Sequence, residues 1–107
     1  MPNIINTPKP PYYAVIFTSK KADEDKGYDK MSNKMIELVS QQDGFLGFES
    51  AREELGITVS YWKDEVSIRN WKVNLEHQKA QKLGKEIWYQ QYKIRIAKVE
   101  KDYEFNI

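Results

Sequence analysis

"GFLGFESAREELGITVSYW", residues Gly44 to Trp62, is the stretch whose reading decides the fold. It opens on the turn signal Asp43-Gly44 and holds two runs rich in aromatic and β-branched residues, "FLGFESAR" and "ITVSYW", parted by the polar "EELG". Such residues suit a pleated, half-buried surface, and so short a link joins only neighbouring antiparallel strands. The stretch is therefore a β-hairpin.

The neighbouring segments supply the remaining elements. On the N-terminal side Tyr28, Met31, Met35, Leu38 and Val39 recur at helical spacing, with Lys30, Asn33 and Glu37 outside them, which predicts an amphipathic helix of about four turns. Before it, "YYAVIFTS" (12–19) is a strand with Tyr13, Val15 and Phe17 on one face and Tyr12, Ala14, Ile16 and Thr18 on the other. After the hairpin, "KDEVSIRNWKVNLEHQKAQKLG" forms a second helix, with Asp64 as its N-cap and Gly84 as its break. The tail "WYQQYKIRIAKVEKDYEF" alternates, with Tyr92, Ile94 and Ile96 on one side, and makes a long last strand. The order β-α-β-β-α-β is the α+β, ferredoxin-like pattern: a four-stranded antiparallel sheet with both helices on one face. Residues 12–107 form this domain, and the Pro-rich residues 1–11 are an arm outside the core, free to lie across a partner.

Two helices leave the other sheet face bare. Tyr12, Ile16, Phe48 and Trp62 are expected there, and so large an apolar patch is unusual in a monomer. The expectation is a homodimer packed sheet to sheet, with the C-terminal strand crossing to the partner, so that two copies build a dimeric α+β barrel.

Composition narrows the function. The 107 residues carry 17 Lys+Arg and 16 Asp+Glu, a net charge of +1, with the signs interspersed. Nothing in that pattern marks nucleic acid or an anionic membrane surface as a partner. Cysteine is absent, which removes disulfides and thiolate chemistry and fits a reducing, cytoplasmic setting. No window reaches the ~20 apolar residues of a membrane span. There is no Gly-rich phosphate loop, no HExxH, no Ser nucleophile elbow and no His/carboxylate cluster at metal-ligand spacing, so no metal is expected.

The second helix carries an unusual row. Glu65, Arg69, Lys72, Glu76 and Lys79 share one sector, which faces water, and opposite them stand Ser67, Asn70, Asn74, His77, Gln78 and Gln81. Ile68, Trp71 and Leu75 flank that row on one side, Val66, Val73, Ala80 and Gly84 on the other. An amide or imidazole buried without a partner costs on the order of 1–3 kcal/mol, so the row must meet protein groups, water or a ligand. One reading is a pocket for a small hydrophobic or aromatic molecule; the other is a set of side chains bonded to backbone at the helix edge. In the pocket reading the lone imidazole, His77, takes a proton from an acidic phenol or enol while amide donors hold the anion.

With "GFLGFESAR", "GITVSYW", "NW" and "EHxxAQxxG" followed by "WYxxY", the chain resembles the antibiotic biosynthesis monooxygenase domain family over nearly all of residues 12 to 105. The resemblance implies a dimeric α+β barrel. It also implies a choice among three functions: cofactor-independent oxygenation of electron-rich aromatics by O₂, haem degradation, or ligand binding without turnover. For the first, the expected catalytic residues are His77, Trp71 and Asn70, with Asn74, Gln78, Gln81 and Trp62 binding a small aromatic or quinol-like substrate. The haem-degrading branch pairs two Trp nine residues apart, as are Trp62 and Trp71 here. At that branch's iron-ligating His this chain has Gln81, with His77 one turn earlier, and the branch's strand-one Asn has no counterpart in "YYAVIFTSK". Haem is accordingly the third alternative.

Overall fold

Ten residues from Tyr12 to Lys21 form β1, the strand to which the rest of the sheet is added. In the computed structural model, which describes residues 4–22, 28–81 and 89–107 and the side chains of 4–22, 29–75 and 89–107, five further elements follow. These are α1 (Tyr28–Val39), β2 (Phe45–Arg52), β3 (Leu55–Trp62), α2 (Glu65–Gln81) and β4 (Tyr89–Val99). The sheet is antiparallel with strand order β2-β3-β1-β4. The hairpin is where the sequence placed it, and the fold is ferredoxin-like α+β.

That topology makes β1 and β2 parallel, as it does β3 and β4, with one helix bridging each pair. Right-handed crossovers then bring both helices to the same side of the sheet. α1 has twelve residues, a little over three turns, and closes where the Ser40 amide and hydroxyl both donate to the Ile36 carbonyl. Turns through Gln41 and Gln42 lead to Gly44, whose φ of +81° is the left-handed conformation that glycine adopts without strain. The Gly44 carbonyl accepts from the Lys63 amide, which ties the start of β2 to the end of β3. α2 starts on the predicted cap: Asp64 Oδ1 accepts from the Ser67 amide at 2.8 Å and the Ser67 hydroxyl at 2.7 Å.

Register assigns the faces. Tyr13 lies opposite Trp62, Val15 opposite Ser60 and Ile96, and Phe17 opposite Thr58 and Ile94, so these residues share one face. Trp62 stacks on Trp71 of α2, which makes this the helix side. Phe48, opposite Ser60, belongs to it too. The expectation that Phe48 and Trp62 sit on the bare face is therefore corrected. Between Phe45 and Gly47 the register of β2 slips by one residue, and this bulge reverses the parity counted from the start of the strand.

Tyr12, Ala14, Ile16, Val59, Tyr61, Ile57 and Glu49 form the opposite face. That face is not wholly bare, because the arm folds back on it. The Ile5 amide donates to Glu49 Oε2 at 3.1 Å, and the Thr7 hydroxyl to the Tyr12 hydroxyl at 3.0 Å. Tyr12 in turn donates to Asp102 at 2.5 Å and keeps only 4% of its surface exposed. Leu55 and Ile57, further along, remain 56% and 45% exposed.

Candidate functional site

α2 leaves the sheet at Trp62 and must return the chain to Tyr89, which pairs with Lys21 at the far end of β1. It therefore runs lengthwise over the helix-side face. Its first turns are packed: Ser67 and Ile68 are buried, Trp71, Asn74 and Leu75 half-buried, while Val66, Asn70 and Val73 are exposed. Burial is thus centred on the apolar stripe Ile68–Trp71–Leu75 and fades across the polar row. This corrects the placement of that row diametrically inward. Asn70 is accessible, Asn74 stands at the rim, and the Ser67 hydroxyl is taken up by the cap. The row edges the packed interior.

Trp62 has no exposed surface. Phe45 meets it edge-on with ring centres 5.3 Å apart, Trp71 stacks at 6.5 Å, and its indole N–H donates to the Ser60 hydroxyl at 2.9 Å. A ring enclosed in this way cannot touch a ligand, so its expected substrate-binding role is corrected to that of a support behind Trp71. Trp71 itself, half-buried, keeps accessible surface. His77, Gln78 and Gln81 lie on the last turns of α2, and their side chains fall outside the described residues, as do Gly84 and Trp88.

Beyond the Trp pair the helix-side face changes character. Phe17, Tyr89 and Tyr92 make a cluster with ring centres 5.4 to 5.9 Å apart, and Ile94 and Ile96 beside it are 51% and 58% exposed. Among the described residues nothing covers these two isoleucines, although they face the side on which the helices lie. Position 77 follows Ile68 by nine residues, about 14 Å along the helix axis. Phe17 lies four residues beyond Tyr13, about 13 Å along β1. The end of α2 thus comes level with an open apolar floor. The alternation of Tyr92, Ile94 and Ile96 was legible in the sequence, but not that the helices leave them open.

On the β2–β3 half of the same face, the Arg52 guanidinium lies across Gly56 and donates to the Ser19 hydroxyl, itself almost fully buried. Ser50 and Thr58 share a hydrogen bond of 2.8 Å. The face therefore pairs an apolar, aromatic half with a hydroxyl-rich one. Among the described residues no group of three or more His, Asp or Glu is placed to hold a metal ion.

The titration shifts lie elsewhere. Burial, reinforced by donation to Glu49 at 2.5 Å, pushes the Tyr61 phenol up to about 12. Tyr12 is raised by burial and by its bond to Asp102. Asp64 is lowered by the hydroxyl and amide of Ser67.

This geometry can be set beside known proteins. Residues 11–83 match the family described as "Antibiotic biosynthesis monooxygenase". The chain belongs to that family. It is 48% identical over 97 residues to the uncharacterized protein YqjZ of Bacillus subtilis (strain 168), covering 89% of this chain and 85% of that one. Its fold is similar to the crystal structure of PA3566 from Pseudomonas aeruginosa, with a TM-score of 0.67 at 16% identity over 91% of this chain and all of that one. It is also similar to NE2512 from Nitrosomonas europaea, a protein of unknown function, with a TM-score of 0.62 at 8% identity, covering 90% and 96% of the two chains. Family membership supports a monooxygenase-type or small-molecule-binding role. No described helix is long and apolar enough to cross a membrane.

Proposed function

We propose that the protein is a cofactor-independent monooxygenase of this family, acting on a small aromatic or quinol-like substrate held between the end of α2 and the floor of Phe17, Tyr92, Ile94 and Ile96. The observation that carries this reading is the exposure of Ile94 and Ile96 on the sheet face that the helices share, an apolar surface of the kind that lines a small-ligand site. Trp71 stacks on the ring from the packed side. Asn74 and Gln81 hold the substrate anion, and Gln78 lines the same arc of the helix, while Asn70, which the structure turns out to water, is left to the approach to the site. His77, the single imidazole of the chain and placed on the last turns of α2, accepts the substrate proton. Oxygen then reacts with the electron-rich anion. One oxygen atom becomes a carbonyl on a ring carbon in place of its hydrogen, and the other leaves as water with that hydrogen and the proton lost from the substrate hydroxyl.

Two copies packed sheet to sheet complete the proposed assembly. The half-exposed Leu55 and Ile57 on the face away from the helices support it, as do the exposed Tyr103, Phe105 and Ile107 of the tail beyond β4.

The test is oxygen uptake with a panel of polycyclic phenols, in the presence of a chelator and without added flavin. Uptake with stoichiometric product, lost in His77→Ala while the fold is kept, is expected. Uptake unchanged in His77→Ala removes the imidazole as the base. Ligand bound and returned unchanged under air points to a binding module instead.

A further inference from the structure

We propose that residues 4–11 are a strap that occupies, in cis, part of the sheet face needed by a second copy, so that seating of the arm and dimer association compete. This rests on the sheet-to-sheet dimer proposed above.

Three anchors hold the arm. Glu49 grips from both oxygens: Oε2 accepts from the Ile5 amide at 3.1 Å and Oε1 from the Tyr61 hydroxyl at 2.5 Å. The Ile5 side chain lies so close over Gly47 that a Cβ there would stand 2.8 Å from Ile5 Cγ2, so the missing side chain makes the seat. Further on, the Thr7 hydroxyl donates to the Tyr12 hydroxyl, which itself donates to Asp102 of the tail. The two ends of the chain meet at one phenol. Tyr12 and Tyr61, ring centres 6.0 Å apart and edge to face, form the floor under this clasp.

Between these anchors the arm stays open to water, with Ile4 85% exposed and Asn6, Pro8 and Lys9 exposed as well. A segment with few apolar contacts opens at low free-energy cost. Packed sheets lie about 10 Å apart with their side chains interdigitated, which leaves no room for a layer of peptide between them. A second copy can settle over Gly47, Glu49 and Tyr61 only after the arm has left. Leu55 and Ile57 stay open whether or not the arm is seated, so the face is half strapped and half available. The strapping segment is also almost wholly outside the family's matched region.

Ile5→Gly with Thr7→Ala in the full-length chain loosens the strap without touching the sheet or α2. Dimer dissociation constants come from sedimentation equilibrium, and arm seating from exchange of the Ile5 amide. If each arm is seated about two thirds of the time, one third of the chains are competent, and the requirement for two of them weakens dimerisation about ninefold. The variant is expected to dimerise up to about ninefold more tightly, and the wild-type Ile5 amide to lose protection as dimer forms. An unchanged or weaker dimer in the variant, or an Ile5 amide that gains protection on association, overturns the strap and leaves the dimer standing. Monomers at every concentration, in both proteins, overturn the dimer and the strap with it.

Discussion

Gly44→Ala tests the link between the β2 turn and the helix that carries the site. Gly44 has φ +81°, and a Cβ added there would stand 2.7 Å from Ser67 Cβ and closer still to Ser67 Oγ. Ser67 cannot yield easily, because it is buried in the first turn of α2 and both its amide and its hydroxyl are bound to Asp64. The left-handed conformation costs a residue bearing a Cβ about 1–2 kcal/mol. Forcing a methyl group into a packed contact costs about 1–3 kcal/mol more. The variant is therefore expected to lose about 2–5 kcal/mol, which for a domain of this size lowers the melting temperature by roughly 10 °C or more. Urea denaturation followed by tryptophan fluorescence measures it, and reports on the Trp62–Trp71 stack along the same helix. Ser67→Gly removes the atoms in the way, so in the double variant it should restore the steric part and leave only the backbone strain. A loss below about 1 kcal/mol in Gly44→Ala, or no coupling between the two substitutions, would refute the reasoning.

Three further outcomes are expected. Because the Tyr61 phenol is raised from 10.0 to about 12, the unfolded chain deprotonates first: the stabilisation is complete below pH 10 and is lost as the pH climbs from 10 towards 12. Stability curves across that window, with phenolate absorbance followed in parallel, should show the decline, and Tyr61→Phe should make it shallower, leaving the share that the raised Tyr12 phenol contributes. In Gly56→Ala the new methyl group lies 2.5 Å from Arg52 Nε, so the guanidinium must leave Ser19, and a buried hydroxyl deprived of its partner costs about 1–3 kcal/mol in thermal unfolding. Haemin added to the protein should leave its Soret band unshifted, and a shift that survives in His77→Ala but not in Gln81→Ala would place iron on the wrong turn for this reading.

Elements and their order were readable because they rest on local rules. The period of two in "YYAVIFTS", a polar link between two strand-forming runs, and Asp64 three residues before Ser67 each act within a few residues, and each is present in the structure, where the link narrows from "EELG" to Glu53-Glu54 because β3 already starts at Leu55. Facing is a relation between strands, and there local rules gave out. One bulge beside Leu46 moved Phe48 to the helix side, and the pairing of Trp62 with Tyr13 placed Trp62 there as well. A trace of the bulge was present in "GFLGF", where Gly47, at φ +145°, interrupts a strand as glycines at bulges do.

The polar row of α2 shows the same limit from the other side. Locating the charged sector and looking opposite it assumes that burial mirrors charge, whereas the helix settles on its best apolar stripe. Ile68, Trp71 and Leu75, spaced by three and four residues, form that stripe, and turning them onto the sheet rotates Asn70 out to water and Asn74 to the rim. Neutral amides need no partner at a rim, since water satisfies them there, so the cost that suggested an interior hollow is not incurred. What remains is a helix edge bearing hydrogen-bonding groups and, on the same side of the sheet, the half-exposed Ile94 and Ile96. The substrate proposed above would then use an open edge rather than a closed cavity, its ring on the isoleucines and its ionising oxygen towards the amides at the border.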